Sequence, residues 1–512
     1  MRFFSLTSDL SVSARPRVAP AAGRKTAPER LVALVRPALA PVKPPLFVEL
    51  DGTLIRTNVL NESICGLLST QPRLIFKALA SLLRGRAHFK ETIASIWTPD
   101  PRTLPYDAQL LAYLSAEKAG GRRIYLVTDA NHRVARQIAE HLQLFDDVIA
   151  SDVVRDLDDE RKLSEIIAKS GSSGFSYAGN NPAALRIWRS AATAVLANAP
   201  DSLNRRAQKL CEVERVTARE AVGLQTYVRA VRAHQWVKNL LVFLPILPLV
   251  TRISAAQLLA VTLGCIAFCL CSSFVYLVND LMDLQFDRVH ITKRERPFAA
   301  GKISIARGAA LAAALVGAGL ALATAISPQF LAVVALYLLG TAAYSFGAKR
   351  LVLVDVVILA GLYTLRVLGG AQAAHTPLSF WILAFSMSLF VSLAFVKRYA
   401  ELRAARDRAQ ESTGRGYRSS DLEIVEMFGV GAGLSSVLVL GLYVDQSSAQ
   451  LAFRHSGLLG LLCPLLLYWV FRVWLHAHRG TMNEDPTVFA IRDRVSRYVM
   501  VLGALIVGAA VI

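Results

Sequence analysis

The sequence is poor in cysteine and in acidic residues. Six cysteines occur among 512 residues, and three of them, Cys265, Cys269 and Cys271, lie in one apolar stretch. No two cysteines have the spacing of metal ligands, so we interpret all six as reduced packing residues rather than a disulfide framework. Asp and Glu number 38 against 57 Lys and Arg, which gives a net charge of +19. No recognition motif accompanies this charge, which disfavours nucleic acid as a partner.

The beginning of the chain lacks a continuous apolar run. Its first residues, "MRFFSLTSDLSVSARPRVAP", contain no central hydrophobic region of the kind found in a signal peptide. Residues 1–43 are rich in Ala, Pro and Arg and show little periodicity. We expect them to form a disordered basic tail.

Long apolar stretches dominate the second part of the chain. Hydrophobic residues make up 54% of the sequence, and the mean hydropathy of +0.41 is typical of a membrane protein with a soluble part. Basic loops alternate with nearly uncharged ones, which predicts that the basic loops and the soluble part face the cytoplasm from the inner membrane, with the C-terminus outside. The sequence predicts nine spans, at residues 237–252, 255–279, 305–327, 328–346, 352–372, 379–396, 427–444, 455–475 and 498–512.

Residues 44–205 have the pattern of an α/β domain. Four short β-like runs, in "PLFVELDGTL", "RRIYLVTDA", "FDDVIASD" and "GFSYAGNN", alternate with helical stretches. This alternation predicts a parallel sheet with helices on both faces. The helical segment 55–118 is too long for a simple connection, so we expect it to form a cap. Residues 206–227 would be a linker to an all-α membrane domain at 228–512.

One predicted membrane helix ends in more acids than a helix cap requires. Asn279, Asp280, Asp283 and Asp287 follow the apolar run "LGCIAFCLCSSFVYLV" at helical spacing, which places them on one face. Carboxylates crowded at a bilayer boundary repel each other unless a hard cation such as Mg²⁺ offsets them. Basic donors for a polyphosphate follow at once: Arg288, His290, Lys293, Arg294 and Arg296. The pattern predicts a site for Mg²⁺ and a diphosphate, the alternative being a solvated helix end.

Further polar residues lie at or inside the predicted spans. An ionisable residue within a membrane is a candidate for function, and Asp355 and Arg366 form the sharpest pair. Lys349 could equally be an ordinary loop lysine, and interface anchoring is an equal alternative for the polar residues near other span ends. The remaining candidates are Tyr344; Arg232, Gln235, Trp236, Lys238 and Asn239; Lys397, Arg398, Tyr399 and Glu401; and Asp485, Arg492 and Asp493.

The region 228–512 resembles the UbiA-type membrane prenyltransferases. The stretch "NDLMDLQFDRVHITKRERPFAAG" is similar to their first Asp-rich motif, NDxxDxxxD, with its basic sequel. "QWVKN", "KRYAEL", the Gly-Tyr of "RGYR" and "DPTVFAIRDR" resemble the branch that includes decaprenyl-phosphate phosphoribosyltransferases. The resemblance implies a bundle of nine spans with a central cavity, where Mg²⁺ ionises phosphoribosyl diphosphate and a polyprenyl phosphate accepts the sugar. Asp355 stands alone where many members with aromatic acceptors carry a fuller second motif, which favours this branch.

The resemblance also implies roles for single residues. The Mg²⁺ ligands would be Asn279, Asp280, Asp283 and Asp287. The substrate-binding residues would be Lys238, Asn239, Lys293, Arg294, Arg296, Lys349, Arg366 and Lys397, with the basic residues on the phosphates. The residues nearest the chemistry would be Asp280, Asp283, Tyr344 and Asp355.

The soluble part resembles the haloacid dehalogenase (HAD) superfamily. "LFVELDGTL" is similar to its first motif, a strand ending in DxDGT, and Thr128, Lys162 and "YAGNN" fit the later motifs in order and spacing. Asp51 stands at the general-acid position, but Glu49 replaces the nucleophilic Asp, and Asn180 and Ala184 replace the acids that complete the metal site. Displacing the attacking oxygen by one methylene can cost about 10²-fold in rate. We therefore expect a degenerate domain, a phosphatase acting on the lipid product being the alternative.

The sequence thus predicts a multi-pass, Mg²⁺-dependent membrane transferase with a polyprenyl phosphate or polyprenyl diphosphate lipid as a partner. The favoured reaction is phosphoribosyl transfer to polyprenyl phosphate. Prenylation of an aromatic or other small acceptor is the alternative within the family. A transporter with a regulatory domain belongs to a different class. Its polar residues should lie near the middle of the membrane, often in inverted repeats, whereas here they gather at one face and no repeat is visible.

Overall fold

The computed structural model describes residues 43–153, 155–217, 221–249, 252–407, 416–445, 453–482 and 486–511. The expected basic tail at 1–43 lies, apart from Lys43, outside the described residues, and so does Asp485.

The soluble domain is built on six strands. They are β1 (Leu46–Glu49), β2 (Ile124–Asn131), β3 (Asp147–Ser151), β4 (Ser176–Gly179), β5 (Thr193–Ala197) and β6 (Glu212–Thr217). All pairings are parallel, in the order β3-β2-β1-β4-β5-β6. Alternate side chains point to opposite faces: Leu46 packs in one core and Phe47 in the other. The strand order reverses beside β1, so the carboxyl ends of β1 and β4 open a cleft at the switch point.

Strands β5 and β6 extend the sheet beyond the four runs that the sequence predicts. β6 lies inside the expected linker 206–227, so the sheet continues to Thr217 and the linker begins later than residue 206. The sequence of β6, "EVERVT", mixes charged and apolar residues, and Glu212 and Arg215 are exposed. This pattern is typical of an edge strand. Without its place in the sheet, the sequence of such a strand resembles that of a polar linker.

Helices surround the sheet and form the cap. The first three helices have a small core of their own, made by Leu67, Ala78 and Ile93. The fourth helix, although it lies within the predicted cap 55–118, packs Leu110 and Leu114 into the core of the sheet. The cap is therefore shorter than expected. The helices before the membrane part are α1 (Val59–Thr70), α2 (Ile75–Ser81), α3 (Arg86–Ile96), α4 (Ala108–Ala119), α5 (His132–Leu142), α6 (Asp159–Ser170), α7 (Ala184–Trp188), α8 (Asp201–Ala207) and α9 (Leu224–Ala230).

Helices make up most of the described residues in the second part of the chain. A 3₁₀ segment, Ala233–Leu249, comes first. The α-helices that follow are α10 (Ala255–Met282), α11 (Leu284–Val289), α12 (Ile305–Ile326), α13 (Pro328–Phe346), α14 (Val354–Ala374), α15 (Phe380–Asp407), α16 (Leu422–Asp445), α17 (Leu462–His478), α18 (Pro486–Arg492) and α19 (Arg494–Val511).

Eight helices in the described residues are long and apolar enough to cross a membrane, rather than the nine expected. The difference is the predicted span 237–252, which lies in the 3₁₀ segment. Pro245 lacks the N–H that an α-helix needs at this point, so the segment winds differently. It packs closely on α14, where an added Cβ on Gly370 would lie 1.9 Å from the carbonyl oxygen of Val242. Only glycine admits this approach.

Candidate active site

A cavity of about 440 Å³ lies among the 3₁₀ segment, α10, α13, α14 and α15. Polar residues at helical spacing face it, among them Tyr276 and Asn279 on α10 and Tyr363 and Arg366 on α14. The residues singled out from the sequence that line it are Arg232, Gln235, Lys238, Asn279, Tyr344, Arg366 and Lys397. Residues that are far apart in the sequence thus meet in one cavity.

The guanidinium of Arg366 is held in a fixed position at the cavity wall. Its Nε donates to Oδ1 of Asn239 at 2.7 Å, its Nη2 to the hydroxyl of Tyr337 at 3.2 Å, and its Nη1 to the carbonyl of Leu362 at 2.5 Å. Asn239 is fully buried and lies behind the arginine. A substrate-binding residue would have to face the cavity, whereas Asn239 orients Arg366.

Four cationic side chains line the cavity. Arg232 lies over the ring of Tyr276 at 5.0 Å, and Lys238 lies over the ring of Tyr363 at 5.6 Å. Aromatic faces stabilise such cations in apolar surroundings. In the part of the chain that the structure describes, the lining contains these two residues with Arg366 and Lys397, and no carboxylate. A cavity with this charge attracts a polyanion.

The Asp-rich motif lies beside the cavity and is broken into two helices. α10 ends at Met282, and Asp283, with φ −96° and ψ 13°, separates it from α11. The four ligand candidates therefore do not continue along one helical face, as the spacing predicted. Asn279 reaches the cavity, whereas Asp280 and Asp287 are 3% and 2% exposed.

Arg296 joins the two buried aspartates of the motif. Its Nη1 lies 3.1 Å from Oδ1 of Asp280 and 2.6 Å from Oδ2 of Asp287, and Arg232 also pairs with Asp280. The expected phosphate clamp is thus engaged with carboxylates. No group of three acidic, histidine or cysteine side chains converges among the described residues. However, two carboxylates already share one positive group, and carboxylates completed by phosphate oxygens suit Mg²⁺. These oxygen donors are of the type that would hold Mg²⁺ together with a diphosphate.

Asp355 is placed away from the cavity. It is fully buried, forms an ion pair with Nε of Arg398 at 2.5 Å, and accepts a hydrogen bond from the hydroxyl of Tyr417 at 2.8 Å. Arg398 also pairs with Glu401, and its Nη2 donates to the hydroxyl of Tyr344 at 2.8 Å. Tyr344 lines the cavity, and Arg398 links Asp355 to it. The expected direct role of Asp355 in the chemistry is not supported by this geometry.

The remaining candidates lie outside the cavity lining. Lys293 and Arg294 are exposed in the loop after α11, and Lys349 is half-buried in the turn between α13 and α14. Trp236 donates its indole N–H to Ser273 at 2.9 Å. Tyr399 packs on Trp474, and Asp493 pairs with Arg472 at 3.0 Å; Arg492 is exposed.

A second cleft, of about 770 Å³, opens at the carboxyl edge of the sheet. Glu49, Asp51, Lys162 and Asn180 line it, and Thr128 is buried, its hydroxyl accepting from the amide of Ala130 at 3.1 Å. Four of the five positions that the sequence singled out in this domain therefore line one cleft. Lys302, Ser304 and Arg307, from the membrane part, line the same cleft.

The carboxylates of this cleft are already engaged. Glu49 Oε2 accepts from Nζ of Lys162 at 2.6 Å and from the hydroxyl of Tyr177 at 2.9 Å. Asp51 accepts from the amide of Val59 at 2.9 Å and from Nδ2 of Asn58 at 2.8 Å. Burial, reinforced by the neighbouring Asp129 carboxylate, raises the pKa of Asp51 to about 8.

The groups at Glu49 and Asn180 are not those of a metal site. Asn180 supplies an amide whose Nδ2 donates to the carbonyl of Gly52, and Lys162 holds the Glu49 carboxylate in an ion pair. Burial tends to lower the pKa of Lys162, but the Glu49 and Asp129 carboxylates outweigh it and the pKa is raised, so the lysine stays charged. A lysine-bound glutamate and an amide do not supply the anionic oxygens that a magnesium ion requires at these two positions.

Comparison with known proteins decides the family. The model of the UbiA prenyltransferase family matches residues 242–494, and that of the haloacid dehalogenase-like hydrolases matches residues 46–197. A decaprenyl-phosphate phosphoribosyltransferase of Mycobacterium tuberculosis is 34% identical over 298 residues, which cover 56% of this chain and 93% of the relative. The chain belongs to the UbiA prenyltransferase family.

Other similar proteins match this UbiA family member to different extents. The "Uncharacterized protein y4nM" of Sinorhizobium fredii is 33% identical over 470 residues, 91% of this chain and 90% of the relative, so the match extends over both domains. The solved structure of a UbiA homolog from Archaeoglobus fulgidus bound to GPP and Mg²⁺ has 16% sequence identity and a TM-score of 0.43, covering 56% of this chain and 99% of that one.

Sequence reasoning missed several residues of the UbiA cavity. Tyr337 and Thr341 line it together with Tyr344. Their positions i, i+4 and i+7 form one stripe of polar groups on an otherwise apolar helix. That stripe was the available signal, but a tyrosine within an apolar run does not stand out as an acid or a base would.

Proposed function

We propose that this UbiA family member transfers phosphoribose from phosphoribosyl diphosphate to a polyprenyl phosphate, with Mg²⁺ as cofactor. The observation that carries the proposal is the cavity lined by Arg232, Lys238, Arg366 and Lys397. Both substrates of this reaction carry several negative charges, and a cavity with four cations and no lining carboxylate suits two polyanions. The likeness to a decaprenyl-phosphate phosphoribosyltransferase along 93% of its length supports the same branch.

The reaction breaks the bond between C1 of the ribose and the diphosphate oxygen, and the electron pair leaves with the diphosphate. An oxygen of the lipid phosphate then forms a bond to C1, where oxocarbenium character has developed. The products are a lipid phosphoribosyl phosphate and free diphosphate. When bound, Mg²⁺ supplies neutralisation of the leaving diphosphate, and its proposed ligands are Asn279, Asp280, Asp283 and Asp287.

Residues of the chain do the positioning. Arg366 is fixed in place by Asn239 and Tyr337, so its charge is already oriented before a substrate binds. Such preorganised charges stabilise a departing anion without reorganisation. Lys238 and Lys397 line the same cavity and would meet the phosphates of donor and acceptor. Tyr344, which Arg398 holds at 2.8 Å, would orient the sugar or the acceptor phosphate.

The surroundings of the cavity also favour transfer over hydrolysis. α10, α13, α14 and α15, which supply most of its wall, are all apolar enough to cross a membrane. A cavity enclosed by such helices limits the access of water, which would otherwise compete with the lipid phosphate for C1.

The HAD-like domain is proposed to lack phosphatase activity and to face the cytoplasm. The ion pair of Glu49 with Lys162 at 2.6 Å and the amide at Asn180 support the first part. The basic loops that share its side of the membrane support the second. The transferred product would then keep its 5-phosphate.

The test uses purified full-length protein with Mg²⁺, radiolabelled phosphoribosyl diphosphate and polyprenyl phosphate. We expect Mg²⁺-dependent label in the organic phase, with its phosphate retained. Arg366→Gln should abolish the labelling, whereas Arg133→Gln, which breaks an ion pair with Glu91 on the soluble domain, should not. No labelling, together with consumption of a polyprenyl diphosphate and an aromatic acceptor, would move the protein to the prenylating branch.

A further inference from the structure

The basic loop between α11 and α12 is held by the soluble domain at both of its ends. Just before its start, in the last turn of α11, Arg288 donates from Nη2 to Oε1 of Glu62 at 2.6 Å and from Nη1 to Oε2 at 3.1 Å. Glu62 belongs to α1, in the cap of the HAD-like domain. At its end, Gly301 has φ +68°, and an added Cβ would lie 2.8 Å from Cβ of Arg56. Only glycine fits there, because both the conformation and the space exclude a side chain.

The pair of Glu62 and Arg288 has the properties of a fixed joint. The two side chains are 1% and 6% exposed, and the guanidinium binds the carboxylate through two parallel hydrogen bonds. Thr57 adds a hydrogen bond to Glu62 at 2.7 Å, and Nε of Arg288 donates to the carbonyl of Ala299 at 2.9 Å. Bidentate charged pairs fix the relative orientation of the two side chains in addition to stabilising their contact. This one therefore joins the cap to both ends of the loop.

The same loop carries the counter-charge of the Asp-rich motif. Arg296 lies between the two anchored ends and contacts both Asp280 and Asp287. Phe298 and Ile303, on either side of the Gly301 anchor, are 2% exposed and pack with Leu281 and the cap residue Cys65. A shift of the anchors would therefore move Arg296 relative to the two aspartates, and with it the charge at the proposed Mg²⁺ site.

We infer that Glu62 of the HAD-like domain is a positioning residue for the membrane site, acting through Arg288 on the loop that places Arg296 between Asp280 and Asp287. The soluble domain then supports the Asp-rich motif. This would be a role for the domain that does not require it to hydrolyse a substrate. The inference rests on the proposed function only in taking this motif as the place where Mg²⁺ and a diphosphate bind. It does not depend on which diphosphate is the donor.

The experiment compares full-length wild-type protein with Glu62→Gln, which removes the charge but keeps the shape. Hydrogen–deuterium exchange of the peptide 290–300 reports the loop directly, without any substrate. We expect its exchange to rise at least about tenfold in the variant, the effect expected from weakening a hydrogen bond to a charged partner. We also expect a higher Mg²⁺ concentration to be needed for half of the Mg²⁺-induced rise in Tm. Failure of the phosphoribosyl assay would leave both readouts intact.

Matched variants separate this role from a general loss of stability. Glu214→Gln breaks another ion pair of the soluble domain, with Arg122 at 2.8 Å, and should leave the loop and the Mg²⁺ dependence unchanged. If Glu62→Gln does not fold, Gly301→Ala disturbs the other anchor and should give the same two effects. Unchanged exchange in 290–300, or an equal effect of Glu214→Gln, would overturn the inference.

Discussion

The orientation of Arg366 by Asn239 gives the sharpest quantitative test of the cavity. The substitution Asn239→Ala removes the acceptor 2.7 Å from Nε of the arginine while leaving the arginine itself in place. Tyr337 and the carbonyl of Leu362 remain as partners, so we expect the guanidinium to reorient rather than leave the wall. If Asn239 only positions Arg366, the substitution lowers the activity by weakening the binding and the departure of the diphosphate.

The magnitude follows from one hydrogen bond to a charged group. Such a bond contributes about 1.5–3 kcal/mol, and about 1.4 kcal/mol corresponds to a factor of ten in rate. We therefore expect kcat/KM for the diphosphate donor to fall by roughly 10–100-fold. The assay measures initial rates of lipid labelling against donor concentration, with Asn204→Ala in α8 as an asparagine control remote from the cavity.

A conservative variant makes the test specific. Asn239→Asp keeps an oxygen acceptor for Arg366, although it loses the amide that donates to Cys269 and Ser272 at 3.2 and 3.3 Å. It should retain more activity than Asn239→Ala. Equal rates in wild type and Asn239→Ala would refute the positioning argument, and so would a loss in Asn239→Asp as large as that in the alanine variant.

Three further predictions concern the other clusters. Asp280→Ala should abolish transfer while the protein still elutes as a folded monodisperse species in detergent; full residual activity would contradict the metal-site assignment. Tyr417→Phe should lower the stability by about 1.5–3 kcal/mol, because Asp355 loses a hydrogen bond to its charged carboxylate, and thermal unfolding measures this. Asp51→Asn should leave transfer intact and raise Tm, by an amount that grows from pH 5 to pH 8. Because folding raises the pKa of Asp51 to about 8, the wild-type protein loses stability as pH rises through this window. A Tm difference that does not change with pH would contradict this reasoning.

Part of the site could be predicted because the chemistry needs recognisable residue types. An arginine such as Arg366 inside an apolar helix is costly unless it serves a purpose, and it does line the cavity. The same reasoning did not anticipate the place of Asp355, since a buried acid can equally be half of an ion pair. Nothing in the local sequence says that its partner is Arg398, which lies on the next helix.

The sequence by itself determined the alternation that makes a parallel sheet, the apolar runs that make membrane helices, and the acid and base types near residues 279–296. These follow from local periodicity and from the cost of placing polar groups in lipid. Only the tertiary structure decided which polar groups meet. It placed Arg296 between Asp280 and Asp287, Asn239 behind Arg366, and Glu62 of the soluble domain against Arg288. Each of these contacts joins residues from different elements, and the packing that brings such elements together leaves no periodic signal in the chain.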